Sequence, residues 1–329
     1  MQLLSMILII LGLSLFEIII SVDNAIINAE VLGTMSKKSR KWFLIWGIII
    51  AVFVVRGILP WLIIWISTPD IGLWQALAAS FSGDEKIAEI IKESSPILLS
   101  GGGTFLVFLF FHWLFLETKH YGLIGERFIQ KQGVWFFAIV SIFLVAIVWV
   151  SLRIHPSMAL GAVIGSSAFF ITHGFKENAE QMERKMLEGE SNMSDLSKIF
   201  YLEVLDATFS IDGVLGAFAF TFSIPLILIG NGIGALVVRK LTISNIDNVK
   251  KYKYLKNGAM YSIFSLGVVM LLHSFGHYIN PRKHHFLAII THIPDWFTPV
   301  LTFTIIGYFF WKSYRELKNN KIKKRALDS

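Results

Sequence analysis

Two short stretches of this chain place acids and hydroxyls at matched spacing within apolar sequence. Glu17-x3-Ser21-Val22-Asp23 repeats the order of acid, serine, aliphatic and aspartate found in Asp206-x3-Ser210-Ile211-Asp212. Glu203 precedes Asp206 by three residues, on the same helical face, and Asn24 follows Asp23. An acid at the centre of a membrane helix costs about 2.5 to 3.5 kcal/mol on insertion scales, so Glu17, Asp23, Glu203, Asp206 and Asp212 all need something to offset that cost. A base, a shared proton or a bound cation would do so. Arg56 and Arg239 can neutralise two acids as interhelical ion pairs, which leaves three.

The donors on offer are carboxylates, the Asn24 amide oxygen and the hydroxyls of Ser21, Ser210 and Thr208. Oxygen sets of this kind suit hard or borderline divalent ions such as Mn²⁺, Ca²⁺ or Mg²⁺. The chain has no cysteine, which excludes thiolate metal sites and disulfides. A proton path through the same acids fits equally well. Within each copy the paired acids are six residues apart, which turns them about 240° from each other on a continuous helix. Convergence on one ion therefore calls for a helix broken at SVDNA and SIDGV. In a continuous bundle each acid faces a different neighbour.

The elements that must position these groups are membrane helices. Hydrophobic residues make up 54% of the 329 positions and charged residues 16%, well below the quarter usual in soluble chains. Hydropathy and loop punctuation predict nine spans, near 2–32, 41–67, 96–117, 133–152, 156–173, 199–221, 223–240, 257–279 and 297–314. The apolar runs do not alternate, which excludes a barrel and leaves an all-α polytopic helix bundle. Met1 to Ile20 lacks a basic start and a small-residue cleavage site, so it reads as retained structure.

Sorting the loops by side puts 24 basic residues on one face and five on the other. The positive-inside tendency then places the N-terminus outside and the KIKKR tail in the cytoplasm, against anionic lipid. The formal charge of +7 is thereby assigned to membrane orientation, not to nucleic acid. The acidic loop Ser67 to Ser95 falls outside and reads as a solvated loop with a short helix. Residues 174–198 carry KENAEQMERK at helical spacing as the main cytoplasmic connection.

A second correspondence supports the repeat: Gly47-x8-Arg56 and Gly230-x8-Arg239 both end in VVR, and Gly103 to Phe108 resembles Gly258 to Ile263 more loosely. Five crossings separate the two copies, so the repeat is expected to be inverted. The chain then divides into repeat one at 1–117, intervening helices and loop at 118–198, repeat two at 199–279, and a last span with basic tail at 280–329, within a single membrane domain. Glycines 101 to 103 and the Gly230, Gly232, Gly234 series suit close helix packing. His273-x3-His277 has the spacing of an imidazole pair, but no HExxH accompanies it, and polar packing is its ordinary reading. His112, His155 and His173 stand alone and read as polar members of helix interfaces. No Walker loop and no nucleophile and base constellation is present, so an enzyme is not expected.

SVDNA at Ser21 to Ala25, with Glu17 before it, and EVLDATFSIDGV at Glu203 to Val214 resemble the TerC family, named for tellurium resistance, within the lysine-exporter superfamily of repeated three-helix units. The resemblance extends over about 5–275, and Gly213 departs from it where the first copy has Asn24. It implies a multi-pass protein of the bacterial inner membrane that exports a divalent metal, especially manganese. It points to Glu17, Asp23, Asn24, Glu203, Asp206 and Asp212 as the metal residues. The expected partners are the lipid bilayer, the transported ion and, compatibly, further copies of the chain; no permanently bound cofactor is expected. A non-transporting scaffold for metal loading or envelope protein insertion, and an exporter of a small cationic solute, are the other readings.

Overall fold

Backbone groups in lipid must find partners within their own segment, and every apolar run expected to cross the membrane is helical. The computed structural model describes residues 2–47, 49–67, 72–75, 85–119, 122–123, 125–187, 193–244, 251–278, 293–294 and 296–327, with no strand among them. The first expected span is α1 (Gln2–Ile20) followed by α2 (Val22–Gly33). The second is divided into α3 (Lys37–Trp42), two π-helical stretches at Phe43–Gly47 and Ile50–Val55, and α4 (Arg56–Ser67). The third is α5 (Glu85–Leu116), whose backbone is already helical within the expected acidic loop. The rest of that loop, 68–71 and 76–84, lies outside the described residues.

A short α6 (Glu126–Gln130) leads to α7 (Phe136–Ile154) and α8 (Pro156–Leu187). Helix α8 carries the fifth span straight through KENAEQMERK. The second repeat supplies α9 (Asp195–Ala217), α10 (Ile224–Ser244) and α11 (Leu255–Gly276), and α12 (Phe297–Leu327) closes the chain. Five helices among the described residues are long and apolar enough to cross a membrane: Leu3–Ile20, Glu93–Leu116, Gly133–Ile154, Pro156–Asn178 and Leu255–Gly276. The protein is an all-α polytopic membrane bundle. Helix α7 shows why lipid is its solvent, since Phe137, Ile142, Val145 and Trp149 are all exposed along it. In water such a surface would drive aggregation.

Helix α5 is the axis of the core, packed between α8 and α11 through glycines. A Cβ on Gly101 would stand 2.8 Å from the Gly161 carbonyl, and one on Gly103 would stand 2.9 Å from that of Gly267. Gly267 in turn faces the Gly103 carbonyl at 3.1 Å. The reciprocal contact between the third helices thus pairs Gly103 with Gly267, while Gly258 faces Phe309. Rings from Phe105, Phe108 and Phe169 fill the space beside this seam at edge-to-face angles. Loops sorted together by charge also meet in space. Lys256 pairs with Glu117 at 2.6 Å and Lys253 with Glu316 at 3.5 Å, and Ser36 N–H donates to Asp195 Oδ2 at 3.1 Å. On the sparsely charged side His155 stacks on Tyr278 with ring centroids 4.9 Å apart, and Ser274 donates to the Pro96 carbonyl at 2.8 Å.

Candidate functional site

Helix α1 stops at Ile20 and α2 starts at Val22, so the backbone is interrupted at Ser21 in the first motif. The interruption is a kink, not an unwound stretch. Ser21 keeps right-handed dihedrals (φ −87°, ψ −2°), and its N–H still donates to the Glu17 carbonyl at 3.1 Å. Its hydroxyl donates to Glu17 Oε1 at 2.6 Å. In the second motif α9 runs unbroken through SIDGV, and Ser210 spends its hydroxyl on the Asp206 backbone carbonyl at 2.6 Å. The expectation of helices unwound at both motifs is corrected: SVDNA shows a one-residue interruption that keeps its hydrogen bond to the preceding turn, and SIDGV runs unbroken, as the continuous-bundle alternative has it. Gly213 there serves packing: a Cβ on it would come within 3.0 Å of Glu17 Oε2.

Glu17 is almost fully buried, and its partner is Arg56, the first residue of α4. Arg56 Nη2 donates to Glu17 Oε1 at 2.7 Å, and Nη1 reaches Asp206 Oδ2 at 3.4 Å. The guanidinium fork presents separate nitrogens to two carboxylates from different helices. The π-helical turns ahead of Arg56 change which side chains face inward. Pro60 has no N–H to return to the Arg56 carbonyl. Corresponding acids of the two motifs, Glu17 and Asp206, therefore meet on one buried base.

The helices around them are exchanged between halves. Helix α1 lies on α10, where a Cβ on Gly230 would stand 2.5 Å from Leu13 Cβ and one on Gly234 would stand 2.7 Å from the Ser14 carbonyl. Ser14 also donates to the Gly230 carbonyl at 2.9 Å, sharing its hydrogen with Ile10. In the other half Gly47, the counterpart of Gly230, is set against the carboxylate of Glu203, the counterpart of Ser14. The same two positions touch in both copies.

Asp212 lies apart from this group. Lys176 of α8 holds its Oδ2 at 2.5 Å, while Oδ1 is buried without a hydrogen-bond partner among the described residues. Asp212 lines a small cavity with Ile19, Ile20, Lys256, Ala259 and Met260. This level matches the first turns of α11, nearer one end of the bundle than the Gly103–Gly267 crossing. Asp23 and Asn24 begin α2 just after the kink, and their side chains lie outside the described residues, as does that of Arg239. Among the described residues no group of three or more His, Asp or Glu is arranged to hold a metal. Glu17, Glu203, Asp206 and Asp212 against Arg56 and Lys176 leave a formal charge of −2.

Lys176 was missed by sequence reading because the fifth span was ended at His173, three residues earlier. The histidines near it are also corrected: His112 and His173 are not alone, since their ring centroids are 3.8 Å apart. His273 Nε2 lies 3.2 Å from the Ile293 carbonyl and His277 sits edge-on to Tyr278, as polar packing predicts. Glu126, also unforeseen, is buried and accepts from Asn257 Nδ2 at 2.8 Å and Tyr261 Oη at 2.9 Å. Beside it Lys119 caps α5 by donating to the Trp113 and Leu114 carbonyls. Burial lowers the Lys119 ammonium from its ordinary value, against the raising influence of Glu126 and Glu117.

A family model described as a protein of unknown function, DUF475, matches residues 22–320. The chain belongs to the DUF475 family. No curated protein and no solved structure matches it. The DUF475 match takes in Asp23, Asn24, Glu203, Asp206, Asp212, Arg56 and Lys176 and begins just after Glu17.

Proposed function

We propose that this DUF475 chain is a secondary transporter of the bacterial inner membrane that exports a divalent metal cation, manganese foremost, through the motif carboxylates. The observation carrying this reading is the meeting of Glu17 and Asp206, one from each half, on the single buried Arg56. Corresponding acids at the contact of exchanged helices are what transport by rearrangement of two repeats requires. The resemblance to the TerC family points the same way and brings tellurium resistance as a looser phenotype. In this reading the chain is not an enzyme, its N-terminus is outside and its tail is cytoplasmic.

The ion pairs also favour a second reading. Arg56 and Lys176 already contact three of the acids, as a fixed membrane scaffold would need, and no cluster of three metal ligands stands ready among the described residues. Mn²⁺ efflux from loaded proteoliposomes separates the two. Asp206→Asn abolishes efflux at unchanged reconstitution yield if the chain transports, whereas wild-type protein that moves no Mn²⁺ favours the scaffold. Flux of a cationic amino acid that ignores added Mn²⁺ would favour export of a small solute.

A further inference from the structure

We propose that the connection carrying α6 is an interfacial anchor that seats an anionic phospholipid, with Phe128 at the acyl boundary and Arg127 and Lys131 at the headgroup phosphate. Such an anchor follows from the membrane fold and does not depend on transport. Helix α6 has two faces because its one acid is turned inward. Glu126 is 2% exposed and accepts from Asn257 Nδ2 at 2.8 Å and Tyr261 Oη at 2.9 Å, which lie four residues apart on one face of α11. Ile129 packs against the core, and Gln130 accepts the Lys119 backbone N–H at 3.2 Å. These three side chains hold the connection to the bundle and fix what faces away from it.

Arg127, Phe128 and Lys131 are all exposed. With Glu126 buried, the outward face of α6 offers two bases and a ring, of which 69% is exposed. Single exposed apolar residues are ordinary, but this ring stands just ahead of Val134 and Trp135, also exposed, which open the apolar stretch Gly133–Ile154. The preceding stretch ends at Leu116, so the connection lies at the level where two spans reach the headgroups. Gly133 confirms the level, since a Cβ on it would stand 3.1 Å from the Phe115 carbonyl. Aromatic rings at the acyl boundary with bases at the phosphate level are the pattern of an interfacial segment. The charge of the face chooses the occupant: two bases with no outward acid on the helix match a headgroup of net negative charge better than a zwitterionic one.

The chain has no cysteine, so Phe128→Cys gives a single site for a nitroxide label. In the full chain reconstituted into vesicles of phosphatidylcholine and phosphatidylglycerol, oxygen should relax this label more than an aqueous nickel chelate does, as at Val145→Cys within α7. Relaxation dominated by the nickel chelate places Phe128 in water and overturns the anchor. Weak relaxation by both reagents means that protein, a second copy included, covers the face, and overturns it too. The bases are tested by phosphatidylglycerol binding to the purified full chain, read by native mass spectrometry with the basic tail left intact. Arg127→Gln combined with Lys131→Gln should weaken that binding about tenfold and leave phosphatidylcholine binding unchanged. Undiminished phosphatidylglycerol binding, or an equal loss for both lipids, overturns the anionic preference and with it the proposal.

Discussion

Glu17 and Asp212 come from different halves of the bundle, and each has a base at ion-pair distance, yet the two bases work under different conditions. Arg56 is sealed, reaches acids of both halves and leads a helix that follows π-helical turns. Lys176 holds one acid at the edge of a cavity, on a regular helix that continues beyond it. A sealed base shared by two acids fixes the relative position of the two repeats. A base that serves one acid ties only one pair of helices. The comparison teaches that acids at different positions of the two motifs need not share a role, because the partner decides what an acid can do.

The largest expected effect tests the sealed side. Arg56→Leu leaves Glu17 and Asp206 buried together without their base, and breaking a buried pair in this way costs about 3 to 5 kcal/mol. The thermal midpoint in detergent should fall steeply. Lys176→Gln should lower it less, since it strands one acid that is 12% exposed where Arg56→Leu strands two. Equal losses would break the distinction drawn here.

A smaller effect tests the exchanged helix contacts. Gly230→Ala puts a methyl against Leu13 Cβ, an atom fixed to the backbone, while Gly47→Ala meets the far end of the flexible Glu203 side chain. Overpacking costs about 1 to 3 kcal/mol, and Gly230→Ala should fall within that range in equilibrium unfolding. Gly47→Ala should cost less. The reverse order would mean that Glu203 is the more rigid group.

The positions of the helices were legible because hydropathy reports directly on what lipid demands, and SVDNA signalled a break at Ser21, though not that the backbone there keeps its hydrogen bond to Glu17. The absence of a break in the second motif was not legible. SIDGV offers the same serine and aspartate, but Gly213 is used to admit Glu17 from the other half, and that neighbour is a tertiary fact. The π-helical turns before Arg56, and its meeting with two acids on other helices, are encoded by no local pattern. Lys176 falls in the charged connection read at helical spacing, beyond the span that ends at His173, and only the fold brings it to Asp212. Glu126 was hidden in a charged connection, and only the fold brings Asn257 and Tyr261 to it.

The serines offer a finer version of the comparison. Ser14 bonds across the halves to the Gly230 carbonyl, so Ser14→Ala should cost about 0.5 to 1.5 kcal/mol in the same unfolding measurement. Ser210 bonds only within its own helix, to a carbonyl that the helix already uses, and Ser210→Ala should be close to neutral. Matching losses would mean that the contact between halves contributes no more than a local bond.

The smallest effect lies where the second half's motif helix begins. Asp195 is partly exposed, and hydrogen bonds from Ser36, first from its side chain, then from Ser39 and the Ser36 amide, hold its carboxyl below the usual carboxylate value. A folded-state value below the unfolded one means the stabilisation is fully present above the unfolded carboxyl value of about 3.9 and is lost as pH falls through the folded value. The midpoint difference between wild type and Asp195→Asn should therefore be small at about pH 6 and vanish near about pH 2. An acid that joins the same two halves but stays in water contributes little, which attributes the weight carried by Glu17 and Asp206 to burial. A large or pH-independent difference at Asp195 would contradict that attribution and locate the coupling of the halves at the turn around Ser36.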